Sequence, residues 1–178
     1  RIDLKLARFL GYYASEGYNY YGSTAEVGLS NTNPQIISKM KESVRDNFGI
    51  EPIDYINQNR TLRISSRRIY DYLKQNFDIL MKKSIIKRIP EKIFQSGRSE
   101  RIQFLKAAFE GDGTIESTSI SYSTASEKLA NDYQDLLLTL GIHSRITKYS
   151  YNTKREDKTR YAYKVYITGD SIPEFYNI

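Results

Sequence analysis

Two nine-residue strings constrain this chain more than anything else in it: FLGYYASEG from Phe9 to Gly17, and LKAAFEGDG from Leu105 to Gly113. Each sets small residues four apart, Gly11 with Ser15 and Ala107 with Gly111, and each ends in an acid followed by glycine. Residues four apart share one helical face, so each string predicts a helix bearing a stripe almost free of side chains. Two such stripes can pack backbone to backbone. The two acids, Glu16 and Asp112, stand 96 residues apart in a chain of 178. The chain is therefore read as a duplication with a carboxylate at the centre of each half.

The flanking sequence repeats one plan. In the first half, Asp3 can cap a helix over Leu4–Ser15 that Gly17 ends, and strand-like residues run to about Ser30. Asn33 and Pro34 then open a second helix carrying Ile36, Ile37, Met40, Val44 and Phe48, which closes near Gly49. A strand near Ile53–Asn57, a polar turn at Gln58–Arg60, an alternating strand over Thr61–Ser65 and a helix over Arg67–Phe77 complete the half. In the second, Ser99 can cap the motif helix, Thr114–Thr124 is strand-like, and Ser126 caps a helix closed by Gly141. Strands near Ser144–Tyr151 and Tyr161–Thr168 follow, and ITGDSIPEFY at Ile167–Tyr176 matches ISSRRIYDYL at Ile64–Leu73. Each half reads as helix, two strands, helix, two strands, helix. The division expected is 1–81, a basic linker at 82–98, and 99–178.

Composition narrows the chemistry. With no cysteine and a single histidine, His143, disulfides, thiolate zinc sites, a cysteine nucleophile and multi-histidine metal cages are excluded. Catalysis has to rest on carboxylates, lysines and tyrosines. A net charge of +6 points to a polyanionic partner. No run approaches ~18 apolar residues, so no membrane span is expected. A carboxylate-pair glycosidase would want an aromatic cleft, often with tryptophan, and the chain has no tryptophan.

The acids are badly placed for stability. A helix C-terminus carries partial negative charge, and two carboxylates brought together there repel one another. A divalent cation resolves both problems, since Mg²⁺ favours carboxylate and main-chain carbonyl oxygens and retains several waters. Such an ion can activate water and stabilise the leaving oxygen of a phosphodiester.

FLGYYASEG and LKAAFEGDG resemble the two copies of the LAGLIDADG motif in the homing endonucleases of archaeal inteins and introns, and the order of elements around each resembles that family's αββαββα unit. The resemblance implies an α+β fold with an internal pseudo-twofold, two antiparallel sheets forming a DNA-binding saddle, and motif helices at the lobe interface. It implies a monomeric, intracellular enzyme that cuts both strands of a long double-stranded DNA target across the minor groove, using Mg²⁺ or another divalent cation such as Mn²⁺, and leaves short 3′ overhangs. By position, Glu16 and Asp112 are the metal-binding catalytic acids, with the carbonyls of Ser15 and Gly111 as further ligands. Asn31 and Thr124 match the family's water-ordering polar residue, whereas Ala125 beside Thr124 cannot serve. Lys83, or its neighbour Lys82, matches the lysine near the scissile phosphates, and its counterpart would fall beyond Ile178. A non-cleaving maturase or regulator of the same fold is the alternative. The chain does not begin with Met and its last helix stops at Ile178, so an origin within a larger intein-containing chain is expected.

The polar faces of the strands supply the expected DNA contacts: Arg60, Thr61 and Arg63 in the first half, and Arg145, Lys148, Lys154, Arg155, Lys164 and Tyr166 in the second. Arginine and lysine read guanine edges in the major groove, although most such contacts go to phosphates. Lys82 to Lys92 adds five basic residues against one acid, Glu91.

Overall fold

The computed structural model describes residues 1–55, 60–153 and 156–178. The chain divides into two compact units, one made of Arg1–Met81 and Pro90–Gly111, the other of Lys82–Ile89 and Asp112–Ile178.

In the first unit, α1 (Leu4–Glu16) starts where Asp3 accepts a hydrogen bond from the Leu6 amide at 2.9 Å and stops at Gly17. Strands β1 (Gly17–Tyr21) and β2 (Ala25–Ser30) form a hairpin, and α2 (Pro34–Phe48) follows an Asn33 cap and ends at Gly49, whose φ of 64° suits glycine. Strands β3 (Ile53–Tyr55) and β4 (Thr61–Ser65) complete an antiparallel sheet of order β1-β2-β4-β3. Helix α3 (Arg67–Phe77) is capped by Ser66. Period-two alternation turns Val27, Leu29, Leu62 and Ile64 toward the helices, all of them buried. Phe9 of α1 meets Phe48 of α2 edge to face at 5.0 Å between ring centres.

Two 3₁₀ turns, Asp78–Met81 and Ser84–Ile86, and the short α4 (Glu91–Phe94) lead to α5 (Arg98–Asp112), the second motif helix. Ser99 lies inside its first turn rather than at its cap, because the Gly97 carbonyl already receives the Arg101 amide at 3.1 Å. Strands β5 (Gly113–Glu116) and β6 (Ser119–Thr124), α6 (Glu127–Leu138) capped by Ser126, strands β7 (Arg145–Thr153) and β8 (Glu156–Thr168), and α7 (Ser171–Tyr176) form the second unit. Its antiparallel sheet has order β5-β6-β8-β7, the same plan as the first. Among the described residues no helix is long and apolar enough to cross a membrane.

Helices α1 and α5 meet through the small residues that the strings contribute. A Cβ built on Gly11 would lie 2.2 Å from the Phe104 carbonyl oxygen and 2.8 Å from the Ala107 Cβ. One built on Gly111 would lie 2.2 Å from the Ser15 hydroxyl and 3.1 Å from the Glu16 Cγ. Only hydrogen fits at either glycine.

The basic linker is anchored at four points and otherwise mostly exposed. Lys87, Ile89, Pro90 and Ile93 are all buried.

Candidate functional site

Glu16 is the last residue of α1, half-buried, and Asn31 stands just past the end of β2. The Asn31 side-chain amide donates a short hydrogen bond to Glu16 Oε1 and a second, at 3.3 Å, to the carbonyl of Gly111. Its Oδ1 accepts from the Asn33 amide at 2.8 Å, so every polar atom of this side chain is committed. One amide thus gathers a carboxylate from the first motif and a main-chain carbonyl from the second. Ser15, beside the acid, donates to the Tyr12 and Gly11 carbonyls at 3.1 and 3.4 Å.

In the second half Thr124 occupies the place of Asn31. Its hydroxyl accepts from the Ser126 amide at 3.1 Å, repeating the bond from Asn33 to Asn31. A hydroxyl cannot supply the two-hydrogen arm of an amide, so Thr124 only holds the amide of Ser126, the cap of α6, where Asn31 holds that of Asn33, the cap of α2, and also Glu16. The halves share a backbone device and differ in chemistry.

Asp112 ends α5 with its side chain still open to solvent. Protein packed around its carboxyl pushes its pKa up to about 6, while the charge of Lys87 draws it back down. Lys87 is only 7% exposed, and its carbonyl accepts from the buried Ser126 hydroxyl at 2.8 Å. Lys83 stands exposed, capping the second 3₁₀ turn, with Lys82 half-buried beside it. Sequence reasoning missed Lys87 as a partner of the acid. Its burial depends on contacts with α6 about 40 residues away, which no local pattern reports.

Glu110, two residues before Asp112, ties three helices together. It accepts from the Tyr12 hydroxyl of α1 at 2.5 Å and from Lys39 of α2 at 2.6 Å. Burial raises the Glu110 pKa, and the bonds from Lys39 and Tyr12 outweigh it, leaving the carboxyl below its ordinary value. The Tyr12 hydroxyl is pushed up by burial and by Glu110.

The sheet surfaces sort the expected DNA contacts. On the open face of the first sheet Arg63 stacks on Tyr55 at 4.4 Å and pairs with Glu26 at 3.1 Å, and the hydroxyls of Thr61 and Ser30 lie 3.1 Å apart. The Tyr18 ring lies over Gly28, where a Cβ would come within 2.1 Å of it. Arg60 falls on the other face. There it holds Asp54 with two nitrogens, the closer at 2.6 Å, while Lys41 of α2 holds the same carboxylate at 2.7 Å.

In the second sheet Arg145 pairs in register with Tyr166 and lies 5.2 Å from its ring, and Lys164 lies 5.0 Å from that ring. Lys148 pairs with Tyr163 instead, which the two-residue alternation puts on the opposite face, and its ammonium sits 4.3 Å from the Tyr161 ring. Lys154 and Arg155 lie outside the described residues.

The second half of the chain, residues 99–178, matches the model of the LAGLIDADG-like domain. A DNA polymerase of Thermococcus aggregans is 33% identical over 177 residues, covering 96% of this chain and 9% of the polymerase. The ATP-dependent DNA helicase Hel308 of Thermococcus kodakarensis is 27% identical over 180 residues, covering 96% of this chain and 16% of the helicase. The chain therefore spans a small fraction of the curated relatives it matches. Among solved structures, the homing endonuclease I-DmoI in complex with its target DNA has a TM-score of 0.71 at 16% identity, covering 98% of this chain and 91% of that one. The fold is that of the homing endonucleases.

Proposed function

We propose that this chain is a sequence-specific double-stranded DNA endonuclease that requires a divalent cation, Mg²⁺ or Mn²⁺. The observation that carries the reading is the Asn31 amide, which draws the Glu16 carboxylate and the Gly111 carbonyl to one nitrogen at the ends of two packed motif helices. A carboxylate beside a main-chain carbonyl is the donor set a hard cation prefers. Asp112, crowded by protein at the end of the second motif helix, is a second carboxylate whose charged form a cation would favour.

In this reading Glu16 and Asp112 are the metal-binding acids, assisted by the carbonyls of Ser15 and Gly111. When bound, the cation supplies Lewis acidity and a water of lowered pKa. Asn31 fixes the Glu16 carboxylate and the hydrogen-bonding pattern around it. Thr124 lies at the matching strand end in the other half. Lys83 supplies positive charge for phosphate oxygens, and the buried Lys87 tempers Asp112. Thr61, Arg63, Arg145, Lys164 and Tyr166 line the open sheet faces and contact the duplex, and Lys154 and Arg155 are further basic residues proposed to do so. Cleavage of both strands across the minor groove would leave short 3′ overhangs.

The halves 1–81 and 99–178 act as one monomer joined through 82–98. Nearly the whole chain aligns to a small part of both a polymerase and a helicase, which supports a module carried within host proteins of different activity, as an intein endonuclease is.

The test is a library of randomised duplexes screened for binding and for Mg²⁺-dependent scission. Glu16→Gln and Asp112→Asn should each keep binding to the selected duplex and lose double-strand cutting. Cutting at the parental rate by either variant would remove that acid from catalysis, and binding by the parent without any scission would favour a non-cleaving regulator or maturase.

A further inference from the structure

The segment from Lys82 to Ile89 inverts the usual order of burial. Lys87 is 7% exposed while its neighbours Ile85 and Ile86 are 63% and 50% exposed. Folding by itself favours the reverse, with isoleucine inside and lysine in water. The inversion is held firmly. The Ser126 hydroxyl donates to the Lys87 carbonyl at 2.8 Å. Asp132, itself buried, takes the Arg88 guanidinium at 2.7 and 3.2 Å and the Ile89 amide at 2.9 Å. The turn presenting the isoleucines closes with the Ile86 amide donating to the Lys83 carbonyl at 2.9 Å.

Two features say what covers this apolar knuckle. Beside the isoleucines Lys83 is exposed and Lys82 half-buried, and the run from Lys82 to Arg88 holds no acid, which fits a polyanion and opposes burial against an ordinary protein face. The knuckle and Asp112, a proposed catalytic acid, also belong to one compact unit. Apolar wedges flanked by cations enter the minor groove of duplexes and unstack a base step.

We propose that Ile85 and Ile86 form a wedge that enters the minor groove of bound duplex DNA, with Lys83 on an adjoining phosphate. This rests on the DNA-binding reading above and adds to it a contact that the sheets do not make.

The probe is the duplex recovered from the randomised library, with 2-aminopurine placed at successive base steps in turn. Parent protein should brighten the fluorophore at one step. The double variant Ile85→Ser with Ile86→Ser should melt as the parent does, bind at least about tenfold more weakly, and leave the fluorophore dim. Its salt dependence should match the parent's, because an apolar contact releases no counterions, whereas Lys83→Ala should lower the salt slope by about 1. Parental affinity and fluorescence in the isoleucine variant would overturn the wedge while leaving the endonuclease reading intact. A change in oligomeric state with DNA affinity unaltered would also overturn it, assigning the patch to a second copy of the chain. Failure of the parent to select any duplex would overturn both.

Discussion

Replacing Gly11 with alanine sets two known effects against each other. In a helix interior alanine is favoured over glycine by about 1 kcal/mol, so Gly11→Ala would stabilise an isolated α1. In the folded chain the new methyl lands 2.2 Å from the Phe104 carbonyl oxygen and 2.8 Å from the Ala107 Cβ. Ordinary carbon contacts lie near 3.5–4.0 Å, so α1 and α5 must part by roughly 1 Å, and a gap of that size forfeits about a quarter to a half of each dispersion contact across the seam. The nearer obstacle is backbone and cannot rotate away. Overpacking costs about 1–3 kcal/mol, here toward the upper end, and after the helix gain about 1–2 kcal/mol of net destabilisation remains. For a chain of this length that lowers Tm by about 2–8 °C.

Circular dichroism melts and urea unfolding read the effect. Gly111→Ala is the internal comparison: its methyl meets the Ser15 hydroxyl at 2.2 Å, which can turn, and the Ser15 Cβ at 2.9 Å, which cannot, so it should still destabilise, but by less than Gly11→Ala, whose methyl meets a main-chain carbonyl. Gly49→Ala separates a third cause, since nothing lies within 4 Å of its Cβ and its cost, about 1 kcal/mol, comes from the positive φ alone. A Gly11→Ala protein that melts at or above the parent would refute backbone-to-backbone packing of the motif helices.

Acid stability should depend on Asp54. Bonds from Arg60, then Lys41, hold its carboxyl well below the usual carboxylate range, so its contribution is complete above the unfolded value of about 3.9 and is lost as pH falls below it. Asp54→Asn should therefore lower Tm at neutral pH and flatten its fall between about pH 4 and 2; an unchanged acid limb would refute the assignment. At Glu110, Gln keeps an acceptor for Tyr12 but drops the charge facing Lys39. With both partners of that pair more than a third exposed, Glu110→Gln should cost less than about 1 kcal/mol, and the difference from the parent should shrink as salt rises. A salt-independent difference would point to packing instead.

Much of the fold was legible because its signals are local. Asp3, Asn33 with Pro34, and Ser126 mark helix starts, Gly49 marks a stop, and the alternation of Leu62 and Ile64 with Thr61 and Arg63 defines a strand with one buried face. Small-residue spacing also foretold the contact of α1 with α5. Long-range pairing was not legible. Nothing near Arg60 says that Asp54 will bring it to the helix side, and the register that turns Lys148 away from Lys164 is set by β7 pairing with β8. The connector's course was not legible for a similar reason: its charges are conspicuous, yet Asp132, over 40 residues on, fixes it. For the site, strand-end position was enough to select Asn31, but its hold on a carbonyl 80 residues distant appears only in three dimensions.

The compact units do not follow the sequence repeat. Residues 90–111 are counted with the first half, while 82–89 are counted with the second, so the chain crosses between units at three points. The matched domain, 99–178, thus begins with a helix whose Phe104 and Ala107 are buried against the other repeat. Expressed alone it would present that apolar stripe to water, and a natural remedy would be the stripe of another copy, as in a domain-swapped dimer. Fusion into one polypeptide makes that encounter intramolecular. It also lets the halves diverge, one keeping an amide at Asn31 where the other has a hydroxyl at Thr124.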